Sequence, residues 1–365
     1  MTTPVSPQQD SVKSDRLPAP YVDVDVQLTS PATVPIMLRV LLLTLTLLAG
    51  LAQAAPHTIM QRPISLVTEQ GTLHGTLLRP QSDQPLPVAL LIAGSGPTDR
   101  DGNNPAGGHN DSLKRLAQAL ARHGIASVRY DKRGIAASRA ATPDERDLSV
   151  EQYVADVAAW GQLLKADPDF SRLILIGHSE GALIASLAAP AAGADALISI
   201  AGSSRPIDQV LREQLHYRLP PNLLAQSHRL LDSLLAGQPS DAVPDELHVL
   251  FRPSVQPYLI SLFRQDPSAA FARVQIPALI VQGSHDIQVG VADAEALRAV
   301  KPDAQLAIIE GMNHVLRIVP LDVKAQLASY DNPRLPLARL LTERVVGFIE
   351  ETGKAPASSA VQIGR

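Results

Sequence analysis

The chain has 365 residues, which allows two domains or one large α/β domain with insertions, and AVILMFWYC at 45% against DEKR at 19% supplies a sizeable core. Lys+Arg 32 against Asp+Glu 36 gives a net charge of −4, with no basic run of the kind that neutralises phosphates, so nucleic acid is not an expected partner. Cysteine is absent, which excludes disulfides, thiolate metal sites and thiol nucleophiles and leaves oxygen or nitrogen for any nucleophilic role.

Residues 1–36 hold six prolines and no periodic apolar pattern, and read as unstructured or as an upstream segment wrongly assigned to the protein. Met37-Leu38-Arg39, the apolar run Val40 to Leu51 and the small-x-small sequence around Ala52-Gln53-Ala54 have the layout of a signal peptide over residues 37–54. The run is shorter than a membrane span requires. The expectation is an exported protein, periplasmic or secreted, whose mature chain begins near Ala55. Asp10, Asp15, Asp23 and Asp25 are unusual ahead of a secretory signal, so a start at Met37 and an unusually long leader are both open.

Beyond residue 55, eight short apolar runs read as strands: Ile64 to Thr68, Leu73 to Arg79, Val88 to Ala93, Ala126 to Tyr130, Leu173 to Gly177, Ala196 to Ala201, Ala278 to Gly283 and Ala304 to Ile309. Glu69-Gln70-Gly71 joins the first two as a hairpin. Helical-period segments alternate with the later strands: Ser112 to His123, Val150 to Lys165, Glu180 to Ala189, Val289 to Val300 and Leu335 to Glu350. Such alternation predicts a mostly parallel sheet covered on both faces. About 70 residues with helical patterning but no strand interrupt it, and are expected to form a helical cap over about 203–273.

The motifs that carry chemistry fall at strand ends. After the third strand, Gly94-Ser95-Gly96-Pro97-Thr98 offers close backbone approach, and the Ser95 amide is the candidate oxyanion donor because Pro97 has none. Gly177-His178-Ser179-Glu180-Gly181 is a G-x-S-x-G sequence between an apolar strand and an alanine-rich helix, which marks Ser179 as nucleophile and the Glu180 amide as second oxyanion donor. A serine hydroxyl needs a base, and the base needs an orienting acceptor. Asp286 follows the seventh strand and His314 the eighth, so the order Ser179, Asp286, His314 places all three at one sheet edge. His285 competes for the role of base, but adjacent residues on an extended chain tend to point apart.

These sequences resemble an α/β-hydrolase, and within that superfamily bacterial carboxylesterases near the serine aminopeptidase-like group. The resemblance rests on residues 94–103, Arg129-Tyr130-Asp131-Lys132-Arg133-Gly134, the Gly177 to Gly181 motif, residues 283–289 and Gly311-Met312-Asn313-His314, within a matching stretch from about Ile64 to Glu350. It implies an α/β-hydrolase domain over 55–365, the triad and oxyanion donors named above, and cleavage of short to medium acyl esters of small molecules without a cofactor. A serine aminopeptidase or other amidase of the same fold is the alternative; it would require an acidic anchor for a substrate amine, for which Glu213, Asp232 and Asp245 stand in the cap. More remote is a binding protein that keeps the fold without the chemistry.

One loop departs from the pattern, since Gly134-Ile135-Ala136-Ala137-Ser138 carries alanines where relatives often keep a glycine. Asp99, Arg100, Asp101, His109 and Asp111 cluster near the expected site, but without a ligand spacing, so no metal is assigned to them. They are read as a network in which Asp99 or Asp101 pairs with Arg100, Arg129 or Arg133 to hold the oxyanion loop. Chain-length preference and oligomeric state are not encoded legibly.

Overall fold

A computed structural model describes residues 58–105 and 107–354, so the expected signal peptide and the segment before it lie outside the described residues. An antiparallel hairpin opens the fold, β1 (Ile59–Thr68) and β2 (Gly71–Pro80), joined through Glu69-Gln70. Then follow β3 (Leu86–Ile92), β4 (Ala126–Tyr130), β5 (Phe170–His178), β6 (Ala196–Ile200), β7 (Ala278–Gly283) and β8 (Gln305–Ile309). They form one eight-stranded sheet in the order β1-β2-β4-β3-β5-β6-β7-β8, in which every pair from β4 onward is parallel.

The central strands are apolar at successive positions because both faces are covered. In β5, Leu173 and Leu175 enter one core with Trp160, Val157 and Ile184, while Ile174 and Ile176 enter the other with Leu116, Leu120 and Val345. The first core is roofed by α2 (Val150–Lys165), α3 (Glu180–Ala192) and α9 (Val291–Val300), the second by α1 (Ser112–Arg122) and α11 (Arg339–Gly353). Ser149 caps α2, its hydroxyl accepting the Gln152 amide at 3.2 Å.

Between β6 and β7 lie α4 (Ile207–His216), α5 (Pro221–Leu235), α6 (His248–Phe251), α7 (Gln256–Phe263) and α8 (Pro267–Ala272). The first four pack around an apolar cluster that includes Leu231, Leu234, Phe251 and Leu259, whereas Phe271 of α8 joins the first core of the sheet. The C-terminal helices differ from the sequence expectation. The last helix starts at Arg339 rather than Leu335, because Pro336 has no amide to donate and disfavours helix in the residue before it. A short helix, α10 (Val323–Tyr330), precedes it and had no clear apolar period. Among the described residues, no helix is long and apolar enough to cross a membrane.

Candidate active site

β5 and α3 meet at Ser179, whose backbone stands at φ 56°, ψ −124°, a region that costs a non-glycine residue about 1–3 kcal/mol. The surroundings enforce it. The Ser179 amide donates to the Ile200 carbonyl at 2.9 Å, tying the turn to β6. A Cβ on Gly177 would sit 2.2 Å from the Gly181 carbonyl oxygen, and one on Gly181 would sit 2.3 Å from that of Ile92. Both flanking glycines are therefore steric requirements. Among the described residues the Ser179 hydroxyl has no hydrogen-bond partner, and it lines a cavity of about 290 Å³.

Asp286 and His314 come together from the ends of β7 and β8. His314 Nδ1 lies 2.8 Å from Asp286 Oδ2, and the two side chains are 7% and 1% exposed. A carboxylate only accepts, so Nδ1 carries the proton and Nε2 is left with its lone pair, the tautomer a general base needs. Burial works to raise the Asp286 carboxyl, but His314 and the amides of Gln288 and Val289, at 2.8 and 3.1 Å from Oδ1, hold it below the usual carboxylate value. His285 is engaged elsewhere, its Nδ1 donating to the Val319 carbonyl at 2.6 Å.

His178, the variable residue of the G-x-S-x-G motif, received no role from the sequence. Its Nε2 donates to the His314 carbonyl at 2.8 Å, and its ring centre is 4.8 Å from that of His314. Burial, reinforced by the neighbouring His314 ring, pushes the His178 imidazole down to about 4. It is thus a neutral strut under the backbone of His314.

Ser95 is exposed on the loop after β3, and Glu180 opens α3. Both border the same cavity as Ser179, and among the described residues neither amide has a hydrogen-bond acceptor. The loop behind Ser95 is anchored by charge: Arg129 pairs with Asp101 at 2.7 Å and Arg100 with Asp131 at 2.6 Å. Of the alternatives the sequence left open, the pair formed is Asp101 with Arg129. Asp99 spends its Oδ1 on the amides of Asp101 and Asn103 at 2.8 and 2.9 Å, and Arg133 turns away to Asp156. Burial of Asp99 outweighs those two bonds and raises its carboxyl. In the departing loop, Ala136 has φ 43°, so alanine occupies a left-handed position that favours glycine.

Lys132, Tyr153 and Tyr258 also border the cavity, and the sequence assigned none of them a role. Lys132 is buried, donates to the Gly94 carbonyl and sits 5.4 Å from the centre of the Tyr153 ring. Tyr258, from α7, donates its hydroxyl to Glu180 Oε1 at 2.6 Å. In sequence, a lysine between Asp131 and Arg133 is indistinguishable from a solvated one. Apolar walls come from the helices between β6 and β7, with Ile207, Val210, Leu211 and Leu259 among them. The acidic residues weighed as amine anchors lie elsewhere: Glu213 pairs with Arg205 and Asp232 with Arg212, each at 2.6 Å, and Asp245 is exposed. The carboxylates that do border the cavity are Glu145 and Glu180.

The sequence profile described as serine aminopeptidase, S33, matches residues 106–318, more than half of the chain. The chain belongs to this hydrolase family. Esterase EstD of Thermotoga maritima is 31% identical over 254 residues, which are 68% of this chain and 59% of EstD. The chain thus spans about three fifths of that relative's length. Among solved structures, Est1E from Butyrivibrio proteoclasticus with ferulic acid bound matches with a TM-score of 0.54, 18% identity and coverage of 79% of this chain and 98% of that one. The Pyrococcus furiosus esterase Pf2001 matches with a TM-score of 0.50, 14% identity and coverage of 80% and 93%. The fold is that of the α/β-hydrolases.

Proposed function

We propose that the protein is a serine carboxylesterase acting on small-molecule esters with short to medium acyl groups. Ser179 Oγ attacks the acyl carbonyl as His314 Nε2 takes its proton, and the amides of Ser95 and Glu180 receive the oxyanion. Collapse of the tetrahedral intermediate releases the alcohol, which takes the proton from His314 and leaves an acyl-enzyme; water repeats the sequence to free the acid. The observation that carries the reading is the oriented His314–Asp286 pair at the same sheet edge as a strained Ser179. The apolar cavity supports the acyl assignment, and the name of EstD agrees with it.

The family description favours a second reading, cleavage of aminoacyl amides. Against it, the cavity's carboxylates are already offset: Glu145 pairs with Arg252, and Glu180 faces Lys132 and accepts from Tyr258. Labelling the purified protein with a fluorophosphonate, beside Ser179→Ala, while comparing nitrophenyl esters with aminoacyl anilides, separates the cases. The expected result is labelling lost in S179A, ester turnover dominant, and a loss of kcat in S179A of roughly 10³-fold or more. Dominant anilide turnover would instead establish the peptidase, and an unlabelled wild type would leave a binding protein.

We also propose that the protein is exported, on the strength of the apolar run at 40–51 and the small residues after it. Amino-terminal sequencing of the protein from periplasmic and culture fractions should find a start near Ala55; a cytoplasmic protein that retains residues 37–54 would refute export.

A further inference from the structure

Lys132 is a buried cation that the reaction described above does not use. Its backbone is fixed on both sides, since Asp131 holds the Arg100 guanidinium at 2.6 Å and Arg133 is paired with buried Asp156. The side chain therefore reaches into the cavity from a rigid base, and its Nζ donates to the Gly94 carbonyl. Gly94 lies against the nucleophile: a Cβ built there would be 3.1 Å from Ser179 Cβ.

A peptide unit is planar and trans, so the carbonyl of residue 94 and the amide N–H of residue 95 point in opposite directions. Holding one aims the other. Gly94 has no Cβ, so ψ of residue 94, one of the two torsions that turn this peptide plane, is only lightly restrained. We propose that Lys132 is a positioning residue whose ammonium holds the Gly94 carbonyl and thereby keeps the Ser95 N–H aimed at the oxyanion. This inference rests on the acyl-transfer reading.

The groups facing the ammonium set its response to pH. They are the Glu180 carboxylate and the Tyr258 hydroxyl on one side, the Tyr153 ring on another, and Glu145 with its partner Arg252 on the cavity wall, flanked in the chain by Asp131 and Arg133. Burial lowers the lysine's pKa and Glu180 opposes that shift. Deprotonation at alkaline pH weakens the bond to Gly94 while leaving the triad intact.

Three variants test this. Removing an oxyanion donor costs about 10²–10³ in kcat, and misaiming one should cost less, so K132M is expected to lower kcat roughly 10- to 100-fold with KM within about threefold. S95P deletes the N–H itself, and K132M/S95P should be no slower than S95P alone, because the two substitutions act on one donor. In K132R the guanidinium stays charged, so the alkaline limb of the wild-type kcat profile should vanish; this readout serves even where K132M fails to fold. Full kcat in K132M, additive losses in the double variant, or an unchanged alkaline limb in K132R would each overturn the assignment. Turnover surviving in S179A would instead overturn acyl transfer itself, and this inference with it.

Discussion

The carboxyl edge of the sheet and the helical segment between β6 and β7 both border the cavity at Ser179, yet they are built differently. At the sheet edge, each reactive group is held by hydrogen bonds: Ser179 by the Ile200 carbonyl, Asp286 by two backbone amides, and His314 by the side chains of Asp286 and His178. The helical segment has only a small apolar cluster of its own, and Arg205, Glu213, Arg212 and Asp232 form pairs at its surface that contribute little stability. The proposed chemistry thus sits where displacement is most costly, and the proposed acyl selection on a segment less tied to the sheet.

D286N strikes the rigid edge hardest. Losing control of the imidazole tautomer should lower kcat about 10⁴-fold with the fold intact, measured by steady-state ester hydrolysis. The same variant has a pH signature. Because the Asp286 carboxyl is held below its usual value in the folded protein, its ionisation stabilises the fold above that value and ceases to do so as pH falls through the folded pKa. The stability advantage of wild type over D286N, read by urea denaturation, should thus shrink below about pH 4. An advantage that grows on acidification would contradict the assigned shift.

L211F probes the other region. Leu211 borders the cavity, and a larger side chain there should lower kcat/KM for a medium-chain ester about 10-fold relative to an acetate ester, in the range that a methylene or two commands in an apolar pocket. Equal loss on both esters would mean that this segment acts on the chemistry and not on chain length. The smallest effect belongs to A136G. Alanine at φ 43° carries a left-handed penalty of about 1–2 kcal/mol, part of which glycine returns through unfolded-chain entropy. A net gain of about 1 kcal/mol is expected by urea denaturation; a loss would show that the Ala136 methyl group contributes packing.

The sequence determined the eight strands, the Ser179 turn and the loops of Asp286 and His314, because each has a local pattern: an apolar run, a G-x-S-x-G turn between a strand and an alanine-rich helix, a polar residue just past a strand end. The tertiary structure decided what depends on residues distant in the chain. His178 finds the carbonyl of His314, Tyr258 finds Glu180, and Lys132 finds Gly94, 136, 78 and 38 residues apart. No local pattern distinguishes a lysine that bonds a buried loop carbonyl from one in water, since the difference is the desolvation and partner supplied by the rest of the fold.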